Sequence, residues 1–255
     1  MNEFGVDTSY GTLLTQTAVD NLSFSISRIT DFTYANSGTA AYYNNTISAD
    51  TGCYPNVVLV QTTNNKPAGV YFFSHAWNAT SAAFEATSCC DWLDSKGINP
   101  RLGVFMDFER LAPSGRVGGY ENLVYLVGGT PSASLMQSIF SSWCTTVTSR
   151  GYKAGLYMNM DPINAVTDSW LQNARFDPAL GSPYFWLAQL APSPSWDCDI
   201  WQYAHNQSWQ GINVDYNKAQ NDRIFSGGGS SIIPLWLKVR IAQGSERNGK
   251  YTVLL

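Results

Sequence analysis

The stretch Leu102-Gly103-Val104-Phe105-Met106-Asp107-Phe108-Glu109 decides how the rest of the chain is read. It is apolar up to an acidic end and reads as a β-strand. Residues i and i+2 of a strand point to the same face, so Asp107 and Glu109 aim together. Two carboxylates this close cannot both ionise cheaply, and one is pushed toward its protonated form. A carboxyl that holds its proton at neutral pH is what a general acid for glycosidic cleavage requires. A solvated strand end or a cation site would use the same residues, although Val104, Phe105 and Met106 make a poor solvated end.

Working outward, seven more short runs read as strands: 4–9, 23–30, 69–77, 153–160, 184–190, 199–204 and 213–218. Helical patterns fall between several of them. In 130–151, Thr130 is placed to cap and Pro131 to open the first turn. Leu135, Met136, Ile139, Phe140, Trp143 and Val147 then share a stripe, and Gly151 ends it. Shorter or weaker helices are expected over 80–97, 12–22 and 167–175. Strands alternating with helices imply parallel βαβ units. The last three strands stand only 8–10 residues apart, too close for full helices. The expected fold is therefore α/β, an irregular barrel of the TIM type. Its strand ends would carry the site at the C-terminal rim, which puts Asp107 and Glu109 there. Segments 31–66 and 110–129 read as long polar and Gly-rich excursions above that rim. The barrel is expected to span 1–225. A Gly/Ser linker follows at 226–231, and 232–255 reads as a β-hairpin around Asn248-Gly249. A lone hairpin is marginal in water. It is expected to fold back, to belong to a further module, or to join another chain such as a phage tail.

Composition narrows the function. The chain has 255 residues, 44% hydrophobic and 13% charged, with a net charge of −4. The charged share is about half the usual ~25%. An acidic balance argues against nucleic acid as a partner. The five cysteines, at 53, 89, 90, 144 and 198, include no CxxC pair and are expected to be buried thiols. With only His75 and His205 available, a His-rich metal site is excluded, and both are expected to be hydrogen-bonded rim residues. No phosphate-binding or dinucleotide glycine motif and no GxSxG elbow occurs. No cofactor and no metal is expected. The opening residues lack a basic region and an apolar run, and no segment is long and apolar enough to insert in a membrane.

Two more acids share the strand-end position: Asp7 closes the first strand and Asp215 lies in the last. First and eighth strands of a closed barrel are neighbours, so all four acids can meet. Such a set is costly unless hydrogen-bonded or functional. Tyr10, Tyr71, Phe73, Trp77, Tyr157, Trp186, Trp201, Tyr203 and Tyr216 cluster at the same ends. Their faces suit stacking on sugar rings, and core packing is the competing role.

Seven motifs in order, GVDTSYG, GVYFFSHA, the DFE after GVFM, AGLYMN, FWLAQL, DIWQYA and GINVDYNKA, resemble those of the family 25 glycoside hydrolases, over roughly residues 4–218. The resemblance implies a (β/α)5(β)3 barrel. It implies an N-acetylmuramidase (lysozyme) that cleaves the β-1,4 bond between N-acetylmuramic acid and N-acetylglucosamine in peptidoglycan with retention. By resemblance Glu109 is the general acid/base, and Asp107 assists the substrate's 2-acetamido group. Asp7 and Asp215 tune the site, and Tyr71, Tyr157 and Trp201 line the groove. Tyr10, Phe73, Trp186 and Tyr203 join the expected substrate wall. Whether the acetamido oxygen or a protein carboxylate is the nucleophile stays open. The sequence departs from the pattern at Tyr10-Gly11-Thr12 and at Phe72, where the family commonly has His. A chitinase-like enzyme would show a longer DxxDxDxE run, which is absent before Asp107. A degenerate barrel kept as a wall-binding or structural module of a phage particle is the other alternative. Such a protein, made without a signal peptide, is expected to meet the wall after lysis, holin release or delivery on a particle.

Overall fold

Each apolar run becomes a strand in the computed structural model, which describes residues 3–9, 11–34, 43–47, 50–109, 119–166 and 168–226. The strands are β1 (Phe4–Thr8), β2 (Phe24–Tyr34), β3 (Tyr43–Ile47), β4 (Ala68–Phe73), β5 (Gly103–Asp107), β6 (Ala154–Met158), β7 (Tyr184–Ala188), β8 (Ile200–Trp209) and β9 (Ile212–Ala219). All but β3 form a closed ring in the order β1-β2-β4-β5-β6-β7-β8-β9. Pairings from β1 through β8 are parallel, while β9 runs antiparallel to both β8 and β1. The eighth strand of the ring thus breaks the parallel run, in the part of the chain where no full helix was expected. Gln210 (φ 50°) and Gly211 (φ 81°) turn β8 directly into β9, and two positive-φ residues make the turn that matches strand twist. There is no room for a crossover helix, so the neighbour must be antiparallel.

The helices are α1 (Gln16–Asp20), α2 (Cys53–Val57), α3 (Ala79–Lys96), α4 (Gly119–Val127), α5 (Ala133–Ser149), α6 (Met160–Ala165), α7 (Asp168–Ala174) and α8 (Arg223–Ser226). Each of the first five ring crossovers carries helix, and the last two carry none, which is a (β/α)5(β)3 barrel. In α3, the Asn78 side chain takes the Ser81 N–H while Ser81 Oγ takes the Asn78 N–H, capping the start reciprocally. α5 opens two residues later than its Thr130-Pro131 signal. Ser132, extended at φ −68° and ψ 148°, accepts the Leu135 N–H and becomes the cap.

Strand alternation sorts the core into two shells. Inside the ring lie Phe24, Ile26, Phe105, Tyr184, Trp186, Ile200 and Ala219. Between ring and helices lie Val70, Phe72, Val104, Met106 and Leu187 with Leu93, Ile139, Phe140 and Trp143. Gly155 on β6 makes room for the inner shell, since a Cβ there would stand 2.3 Å from the Phe105 ring.

Both expected excursions contain regular structure. Residues 31–66 extend β2, form β3 and α2, and continue α2 as a π-helical turn over Val58–Thr63; α4 occupies part of 110–129. Their apolar residues sit in short runs, 57–60 and 123–127, between polar and Gly-rich flanks, which hides the helices in the composition of the segment. The last described residue, Ser226, closes α8, and the rest of the expected 226–231 linker and the expected hairpin of 232–255 lie outside the described residues. All five cysteines are free and buried. Among the described residues no helix is long and apolar enough to cross a membrane.

Candidate active site

The inward positions at the C-terminal ends of the ring strands are polar, above an apolar floor. Asp7 stands directly opposite Asp215 in the β1–β9 register. Asp107 pairs with Phe73 on one side and Tyr157 on the other. Glu109 follows β5 by two residues and reaches inward, its Oε2 3.5 Å from the Tyr157 hydroxyl. That hydroxyl donates to Gln202 Oε1 at 2.9 Å. Gln202 Nε2 donates to Asp7 Oδ2 at 2.8 Å and lies 3.4 Å from Asp215 Oδ2. Asn217 Nδ2 also donates to Asp7 Oδ2, at 2.6 Å, while its Oδ1 accepts from Trp186 Nε1 at 2.8 Å. The four acids are therefore brought to one mouth.

Their charges are arranged unequally. Burial, then the charge of Asp215, pushes Asp7 up to about 7, against hydrogen bonds from Asn217 and Gln202. Burial, then Glu109 and Asp7, pushes Asp107 well above the carboxylate range, with Arg28 opposing. Burial raises Glu109 to about 7, with His205 and a Tyr157 O–H aimed at the carboxyl opposing and Asp7 and Glu121 adding. Asp215 is the wetter member, its side chain 29% exposed. A bulge in β8 brings two residues onto it: Asn206 N donates to Oδ1 at 2.7 Å, and His205 Nδ1 lies 3.4 Å from Oδ2. Bulges beside sites commonly re-aim groups in this way. Hydrogen bonding to Asp215 raises the His205 pKa.

The aromatic residues divide. Tyr71, Tyr157 and Trp186 face inward, with Trp186 packed 4.3 Å from Tyr157 and 6.0 Å from Tyr71, ring centre to ring centre. Trp186 is buried to 1% exposure and forms the floor rather than a stacking surface. Phe73 shares the inward side of β4 with Tyr71, as strand alternation requires. Trp201 and Tyr203 do not join this group. The alternation that points Gln202 inward turns them to the outer face, where Trp201 donates to Gln189 O at 2.7 Å and stacks 5.4 Å from Tyr203. They line an outer groove of about 490 Å3 with Phe4, Ala191, Pro192 and Lys218. Tyr10 lies outside the described residues. His75 is buried rather than at the rim, its pKa lowered to about 3 by that burial, and its backbone N–H donates to the buried Glu85.

Several residues of the site were not read from the sequence. Gln202 is a polar residue inside the otherwise apolar run 200–204, which is an informative exception. Asn217 stands two residues after Asp215, the same spacing that marked Asp107 and Glu109. Arg28 faces inward from β2 and reaches Asp50 at 3.3 Å. Asp50 Oδ1 in turn accepts from Gly11 N at 2.8 Å and Gly52 N at 3.0 Å, fastening the loop that follows Asp7. Asp50 had no strand-end position to betray it. Among the described residues, no group of three His, Cys, Asp or Glu side chains is arranged to hold a metal ion.

No family model and no curated protein sequence matches the chain. Solved structures do. The modular autolysin LytC from Streptococcus pneumoniae superposes with a TM-score of 0.58 at 17% identity, over 86% of this chain and 46% of LytC. This chain thus spans under half of that protein, which has also been solved with a synthetic peptidoglycan ligand. The catalytic domain of endolysin ply40 from bacteriophage P40 of Listeria monocytogenes matches at 0.53 and 19% identity, covering 88% of this chain and 96% of that domain. GHIP, a glycosyl hydrolase 25 of Streptococcus pneumoniae, matches at 0.55 and 16% identity, over 86% and 87% of the two chains. The chain has the lysozyme-like fold of glycoside hydrolase family 25.

Proposed function

We propose that the chain is a peptidoglycan hydrolase, a lysozyme cleaving the β-1,4 bond between N-acetylmuramic acid and N-acetylglucosamine with retention. The observation that carries this reading is the pairing of Glu109, protonated up to about pH 7, with the buried Asp107 two residues before it at the barrel mouth. Glu109 gives its proton to the glycosidic oxygen as the bond to the anomeric carbon breaks. Asp107 Oδ1 accepts no hydrogen bond from the described residues, and a substrate 2-acetamido N–H supplies the missing donor. Held there, the acetamido carbonyl oxygen attacks the anomeric carbon. Water then opens that ring with Glu109 acting as base, which restores the original configuration. Tyr71, Phe73 and Tyr157 form the wall beside the reacting sugar. The likeness to LytC, solved with a peptidoglycan ligand, supports the substrate class.

The test is digestion of purified peptidoglycan by wild type and Glu109→Gln, followed by borohydride reduction and mass spectrometry of the products. Reduced muramic acid ends are expected from wild type, with at least about a 100-fold loss in the variant. Reduced glucosamine ends would overturn the bond specificity. Wall binding without cleavage by wild type would overturn the enzyme reading in favour of a non-enzymatic wall-binding module.

A further inference from the structure

The geometry points to Gln202 as a positioning residue that fixes the direction of a hydrogen-bond chain and thereby holds the proton on Glu109. The amide can sit only one way round. Its Nε2 faces Asp7 Oδ2 at 2.8 Å and Asp215 Oδ2 at 3.4 Å. Asp7 Oδ2 already accepts from Asn217 Nδ2, whose orientation the donor-only Trp186 Nε1 fixes, so a proton on Asp7 rides on Oδ1 and leaves Oδ2 an acceptor. Its Oε1 therefore faces the Tyr157 hydroxyl, 2.9 Å away, and must accept from it. A phenol has one proton to give. With that proton committed to Gln202, Tyr157 turns a lone pair toward Glu109, 3.5 Å away. The contact is satisfied when Glu109 carries the proton and donates. The chain then runs in one direction, from Glu109 through Tyr157 and Gln202 to Oδ2 of Asp7 and of Asp215. Gln202 is 2% exposed, so water does not compete for these positions.

The same chain describes the second half of a retaining reaction. Once Glu109 has lost its proton it becomes an acceptor. Tyr157 then turns its O–H toward Glu109, leaving Gln202 Oε1 without its donor until the proton returns. The resting arrangement is the acid form. His205 from β8 and Glu121 from α4 act on Glu109, and Asp107 from β5 acts on Tyr157; Arg28 from β2 and Tyr71 from β4 stand one step further out, Arg28 beside Asp107 and Tyr71 beside Asp7. None of them supplies a neutral amide, which alone accepts at one end and donates at the other.

The inference rests on the hydrolase reading only for its kinetic readout, so the first measurement needs no activity. The full-length chain is labelled at the glutamate side-chain carboxyl with 13C, and Glu109 is titrated by NMR, assigned by its loss in Glu109→Gln. Gln202→Met keeps the bulk of the side chain and removes both hydrogen bonds. It is expected to lower the Glu109 pKa by about one unit. Tyr157→Phe takes away both the acceptor of the protonated carboxyl and the donor to the ionised one. In that background Gln202→Met should leave the Glu109 titration in place, because Gln202 acts only through the Tyr157 hydroxyl. If the wild type digests peptidoglycan, the basic limb of its kcat/KM profile should shift by the same amount. A merely structural role would change KM or the folded fraction and leave the titration in place. An unshifted Glu109 in folded Gln202→Met, or a Gln202→Met shift that persists in the Tyr157→Phe background, would overturn the inference. A failure of wild type to release reducing ends overturns the hydrolase reading alone.

Discussion

Asp7 is a carboxyl whose surroundings pull in opposite directions. Two amides donate to Oδ2, and burial beside Asp215 still lifts its pKa from 3.8 to about 7. A carboxyl raised on folding binds its proton more tightly in the native state. Its contribution to stability is complete below about pH 4 and is lost as pH rises through about 7. Wild type should therefore unfold more easily at pH 8 than at pH 5, and Asp7→Asn should shrink that difference by about 2–3 kcal/mol. Urea denaturation at a series of pH values measures it, and an unchanged pH slope in the variant would refute it. At this scale the sequence was a good guide to acids and a poor one to their neutral partners. Strand-end position marked Asp7, Asp107, Glu109 and Asp215. It said nothing of Gln202, because one amide in an apolar run has no distinguishing spacing. Trp201 was misplaced because motif resemblance brings a residue to a strand end without saying which face it takes.

Among the elements, the strands were the most legible, since each short apolar run bounded by turn residues had one regular structure available to it. Helix starts were less so. Thr130-Pro131 and Ser132 all offer start signals, and side-chain geometry decided for Ser132. α4 carries helical spacing at Tyr120, Leu123, Val124 and Val127 but is a single short run behind a Gly-rich stretch, and the π-helical turn is too short to show a period. The β6 strand shows why one glycine matters to the site above it. Phe105 lies against Gly155, and an alanine there would drive its methyl into the ring. Gly155→Ala should cost about 1–3 kcal/mol of stability through overpacking. It should also disturb the floor on which Tyr157 and Trp186 rest. Thermal unfolding checks the first expectation, and a melting point equal to wild type would show that Phe105 has room to move.

Across the whole molecule, the ring is pinned at its far end by buried charge. Asp199, fully buried at the start of β8, pairs with Arg175 after α7 at 3.1 Å and with Arg223 of α8 at 3.0 Å, and accepts the Phe185 N–H of β7 at 2.8 Å. Removing one partner of a buried pair is more damaging than replacing both. Arg175→Met should cost about 3 kcal/mol in chemical denaturation, and a cost below 1 kcal/mol would show that Arg223 suffices. None of this was visible in the sequence, where the three residues are separated by turns and strands. The antiparallel closure has a consequence of its own for how the protein comes into being. β1 is synthesised long before β9, and long-range pairings of this kind form late. Until β9 emerges, Asp7 lacks both Asp215 and Asn217, and β1 and β8 are open edges. The acid cluster is therefore a product of ring closure. A nascent or cut chain ending before Ile212 carries Asp7, Asp107, Glu109 and Gln202 without Asp215 and Asn217, so the completed acid cluster and the finished fold arrive together.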